Sequence, residues 1–164
     1  MIYKLKNKQR ERLTRLAIYL DTLPADYKEF EMATFLEQKD DMEGKHLHRY
    51  ARKNGGVGVC GTSACAVGHG PSAGIPVPKR FIDYDGTYCD VDWSDYAELF
   101  TGESQKLFTF LFSGGWSDID NHHYGAAARI KYVLMGEDVP DAFEYPIYSV
   151  RELYAKYRKP AICL

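Results

Sequence analysis

Residues 54–78 contain no Asp, Glu, Lys or Arg, and in a chain of 164 residues this segment constrains the fold most. Within it, residues 55–70 read GGVGVCGTSACAVGHG, with six glycines, two cysteines and a histidine, and prolines follow at 71, 76 and 78. Glycine loses more conformational freedom on ordering than any other residue, and proline removes a helical hydrogen bond, so no long helix crosses this region. The same interruptions exclude a membrane-spanning helix, although the stretch is uncharged. The pattern predicts a loop over 55–58, a short helix over 63–67 capped by Gly61 or Thr62 and ended by Gly68 or Gly70, and an irregular path beyond Pro71.

Helical periodicity dominates the flanks. Leu13, Leu16, Ala17 and Leu20 recur at i, i+3, i+4 and i+7, with Glu11, Arg12, Arg15 and Asp21 on the other side, so 7–23 is an amphipathic helix that Pro24 stops. Residues 30–36 alternate as a short strand, with a helix as the close alternative, and 40–53 form a polar helix. Asp85-Gly86 favours a type I′ turn flanked by Tyr84 and Thr87 as hairpin strands. Asp92 or Ser94 caps a helix running to Phe100, with Gly102 just past its end. Further helices are expected over 103–112, 121–135 and 150–157. The expected fold is α+β: a single domain over 1–164, mainly helical, with a small antiparallel sheet that includes a hairpin near 80–91.

Charge and composition narrow the function classes. A net charge of -2 gives no general attraction to nucleic acid. The basic N-terminus has no apolar run behind it, so neither a signal peptide nor a membrane partner is expected and the location is cytoplasmic. Four cysteines in such a chain are expected to be free thiols or ligands rather than disulfides. Cys65 and His69 share the i, i+4 spacing of a metal pair, but there is no C-x-x-C and Gly68 weakens the backbone between them, so no metal site or cofactor is expected.

Two kinds of chemistry remain. The first is anion binding. Backbone N–H groups of Gly58, Gly61 and Thr62, at the start of the expected short helix, converge with a positive helix end. Upstream, Arg49 and Arg52 supply charge, Arg129 is a candidate phosphate or carboxylate clamp, and Trp116 offers a stacking face for a base. The alternative for Arg129 is a surface salt bridge. The second is nucleophilic catalysis. Cys60 precedes the same expected helix, where the dipole favours thiolate, and His122 or His123 would serve as base.

The block CGTSACAVGHGP, residues 60–71, resembles the pattern C-G-T-x-x-C-A-x-G-His/Trp of a group of short proteins from bacterial and phage genomes. The resemblance extends to 12–37 and more loosely to 125–134. It implies no particular reaction. It does imply that the position of His69 accepts Trp, which argues against a metal or catalytic role there. The chain is similar in type to phage accessory proteins that counter host defence by sequestering or cleaving nucleotide signals. The leading expectation is a binder of a nucleotide-derived or other phosphate-bearing small molecule. A Cys/His-dependent hydrolase of such a ligand and a protein-binding inhibitor without a small ligand are the alternatives. A homo-oligomer is a candidate partner, because a second copy would help so small a chain enclose a ligand.

Overall fold

The computed structural model describes residues 3–27, 30, 37–38, 62–63, 65–84, 89–113 and 122–140. Helix dominates among them: α1 spans Asn7–Thr22, α2 Trp93–Thr101, α3 Gln105–Phe112 and α4 His123–Leu134. Strands are confined to short antiparallel pairs. β1 (Glu37–Gln38) pairs with β2 (Thr62–Ser63), and β3 (Ile82–Tyr84) pairs with β4 (Cys89–Val91).

Each helix starts and stops for a local reason. At the N-terminus of α1, Gln9 Oε1 accepts a hydrogen bond from the Lys6 amide at 2.9 Å, where lysine itself has no acceptor to offer. Leu23 is extended, as the residue before Pro24 prefers, and ends the helix. Asp92 caps α2 by accepting from the Asp95 amide at 2.9 Å, and Gly102 ends it at a φ of 62°, in the region that favours glycine. Ser104 caps α3 through the Leu107 amide at 3.2 Å.

The stripe Leu13, Leu16, Ala17 and Leu20 is buried, as its spacing predicts. It packs chiefly against α4, whose Ala126, Ala127, Ile130 and Val133 are also buried. The alanines allow the two helices to approach closely. The pair runs antiparallel, since Arg10 reaches the carbonyl of Leu134 and His123 reaches that of Leu20. Tyr96 and Phe100 from α2 join the same core, with Phe110 and Leu111 from α3 and Val67 and Ile75 from the uncharged segment.

Two expectations are corrected here. Thr62 and Ser63 pair as a strand with Glu37 and Gln38, and 66–74 form a succession of turns in place of a helix. Five residues bounded by glycine give too little cooperative gain to offset helix nucleation, whereas a strand pair satisfies the backbone at once. The hairpin register also differs. Tyr84 pairs with Cys89, Asp83 with Asp90 and Ile82 with Val91, two positions away from the pairing that an Asp85-Gly86 turn would impose. The helices expected at 40–53 and 150–157, and all of the 30–36 strand except Phe30, lie outside the described residues.

Candidate functional site

The polar face of α1 builds the most distinctive surface. Lys8, Arg12 and Arg15 stand at i, i+4 and i+7, so helical geometry stacks them along one side over about 10 Å. Opposite them runs the stretch after the turns. Gly74 takes a φ of 78°, which reverses the chain, and Ile75, Pro76 and Pro78 then lie against α1 and against Leu99 of α2. The groove between these walls encloses about 310 Å³. One wall is cationic and the other is apolar.

The cations of the groove are not equivalent. Arg12 Nη1 donates to the Leu99 carbonyl oxygen at 2.9 Å, in the last turn of α2, which fixes the direction of its guanidinium. Arg15 Nη2 lies 2.8 Å from Glu11 Oε1, an exposed pair one helical turn apart. Lys8 is exposed and has no ion pair among the described residues. Three cations and one carboxylate leave the groove net positive, and one of the three is already oriented.

A second, wider cavity of about 680 Å³ lies where β3, β4 and the start of α2 meet. Phe81 and Trp93 line it together with Arg80, Asp83 and Asp92. The Arg80 guanidinium sits 4.4 Å from the centre of the Phe81 ring, and one Asp92 oxygen is engaged as the cap of α2. Its charges are mixed and partly committed to the fold.

The residues expected from the sequence fall elsewhere. Arg49, Arg52, Gly58, Cys60, Gly61 and Trp116 lie outside the described residues. Thr62 belongs to β2, so the helix N-terminus that was to receive an anion there is absent. Arg129 lies on α4 and is 1 % exposed, so it is buried rather than set on a surface facing water. His122 is exposed beside Tyr124. His123 is buried with both ring nitrogens 2.9 Å from backbone carbonyl oxygens, of Leu20 and Pro24, so neither nitrogen is available as a base. Cys65 is a free, buried thiol, and burial pushes its pKa up to about 11, against partial relief from the backbone of Gly68 and Val67. A thiol held this way is chemically quiet at neutral pH.

Among the described residues no three His, Cys, Asp or Glu side chains gather as metal ligands, and no helix is long and apolar enough to cross a membrane. No protein-family model matches the chain, and neither a curated protein nor a solved structure matches it. Arg12 and Arg15, which the sequence pattern placed on a plain polar face, are joined by Lys8 as the functional candidates of the groove. Their regular spacing was visible, but the wall that turns the face into a groove comes from residues 74–78 and 99.

Proposed function

We propose that the protein binds and sequesters a phosphate-bearing small molecule, nucleotide-derived in its simplest form, in the groove between α1 and residues 74–78. The observation that carries this function is the row Lys8, Arg12 and Arg15 facing the apolar wall of Ile75, Pro76 and Pro78. Guanidinium forks match phosphate oxygens two at a time, and an ammonium adds a mobile point charge. A row about 10 Å long exceeds the reach of one phosphate and suits a ligand with more than one anionic group. The apolar wall suits the uncharged part of such a ligand. Arg12 is held in advance by the Leu99 carbonyl, so less freedom is lost when an anion arrives.

Holding is the simpler reading: His123 is committed to the backbone, and Cys60, the expected nucleophile, lies outside the described residues. Sequestration needs neither a base nor a nucleophile.

Calorimetric titration with inorganic phosphate, AMP, ATP and a cyclic dinucleotide tests the proposal. A nucleotide with two or more phosphoryl groups is expected to bind more tightly than inorganic phosphate, and less tightly as salt rises. Replacing Lys8 and Arg15 together by alanine leaves the core untouched and is expected to weaken binding about tenfold or more, equivalent to about 1.4 kcal/mol. Ligand recovered after denaturation should be unchanged. Absence of heat and of thermal stabilisation with every probe would eliminate the groove as a site.

A further inference from the structure

His123 opens α4 and is 3 % exposed. Its Nδ1 lies 2.9 Å from the Leu20 carbonyl oxygen and its Nε2 lies 2.9 Å from the Pro24 carbonyl oxygen. A backbone carbonyl only accepts. A neutral imidazole has one N–H and one lone pair, so it satisfies one of these contacts and turns a lone pair toward the other oxygen. Both contacts are attractive together only when both nitrogens carry a proton. We propose that His123 is held as an imidazolium, and that its second proton latches the start of α4 to the end of α1 and to the corner at Pro24.

The surroundings explain how a buried cation is tolerated. Leu20 is in the last turn of α1, at the helix's partially negative end; its carbonyl also accepts the Leu23 amide, and that of Pro24 the Tyr27 amide, each through one of the oxygen's two lone pairs. Two other helix ends in this fold are closed by cations in the same manner: Arg10 donates to the Leu134 carbonyl at the end of α4, and Arg12 to the Leu99 carbonyl near the end of α2. The N-terminal end of α4 itself works against the charge, being partially positive, and the two carbonyl acceptors outweigh it through direct contact. Among the described residues, the titratable neighbours add no full charge at contact. Asp21 is paired with Lys131, and Tyr27 and Tyr124 present ring contacts, with centroids 6.3 Å and 5.1 Å away. His69 stands on the far side of Tyr27 and Phe30, each of which touches both histidines.

Loss of the second proton would set a lone pair against one of the two carbonyls and loosen the corner that carries Tyr27 and Phe30. The latch is closed only while the ring is charged; for a free histidine the ordinary imidazole range lies near about 6.5.

Nitrogen-15 NMR of the uniformly labelled protein decides the protonation directly. About one pH unit above that range, a free histidine is mostly neutral, with one protonated and one bare nitrogen. For His123 both ring nitrogens are expected to show N–H character there. A bare-nitrogen signal from His123 under these conditions would overturn the latch, and this measurement needs no variant. Denaturation across the same pH interval provides the second arm. Wild-type protein is expected to lose stability as pH rises, by the linkage of at most one proton, and His123→Gln is expected to lose that slope. His122→Ala, at the exposed neighbour, should keep it. Equal slopes in wild type and His123→Gln would also refute the proposal.

Discussion

Gly70 shows how one residue accounts for part of the glycine content of the uncharged segment. Its backbone is not in the left-handed region, so conformational freedom is not the reason for glycine here. Space is the reason. A Cβ at this position would run into the Tyr96 hydroxyl and would lie 3.0 Å from the Val67 carbonyl oxygen. The hydroxyl cannot step aside cheaply, because Tyr96 is fully buried and donates to the Ile75 carbonyl at 2.5 Å. Gly70→Ala is therefore expected to cost about 1–3 kcal/mol, the range for overpacking a filled core. Adding Tyr96→Phe removes the obstructing oxygen, so the double variant should be more stable than the sum of the single losses predicts, by about 0.5 kcal/mol or more. Urea titration of the four proteins measures this coupling, and strictly additive losses would show that the alanine methyl is accommodated another way.

At the scale of elements, a recurring device is a cation from one helix closing the carboxyl end of another. Arg12 and Arg15 are three residues apart on α1 and test it cleanly. Arg12 is half-buried and donates to the Leu99 carbonyl of α2, whereas Arg15 pairs with Glu11 of its own helix, with both side chains more than half exposed. A charge-assisted bond to an otherwise unpaired carbonyl is worth more than an exposed pair that water and salt screen. Arg12→Met is expected to lower the free energy of unfolding by roughly 1–2 kcal/mol, and Arg15→Met by less than about 0.5 kcal/mol. Reversal of that order in chemical denaturation would remove the capping role. The elements themselves differ in how legible they were. Helices α1 and α2 follow from apolar spacing, Pro24, Asp92 and Gly102, all of which act within a turn of the boundary they set. The strand at Thr62 and Ser63 was not legible, because its partner Glu37–Gln38 is remote in sequence and no local rule links the two. The groove was half legible for the same reason: its cationic wall is one helical face, while its apolar wall depends on where residues 74–78 come to rest.

Across the whole molecule, burial of weak acids in their neutral forms couples stability to alkaline pH. Cys65 ordinarily titrates at 9.0, and burial in the core raises it to about 11. Tyr96 ordinarily titrates at 10.0 and is raised well above that, again by burial, which the nearby Arg12 offsets only in part. In both cases the unfolded chain loses its proton first. The neutral forms contribute fully below pH 9.0, and stability then declines as the unfolded thiol ionises while the folded one does not. For Cys65 the decline amounts to about 1.4 kcal/mol per pH unit until the folded thiol also titrates near 11. Tyr96 extends the loss to higher pH. The core that these two groups share also contains Phe100, Leu16 and Ile130, so its opening exposes elements from both ends of the sequence together. Urea unfolding at about pH 8 and about pH 10.5 should therefore show a marked fall in wild-type stability, and Cys65→Ala should show a shallower fall by close to one proton's worth. A slope unchanged by Cys65→Ala would mean that the thiol gains access to water before the core unfolds. Site-resolved alkylation over the same pH range would then find Cys65 modified in the folded protein, whereas a closed core protects it until unfolding.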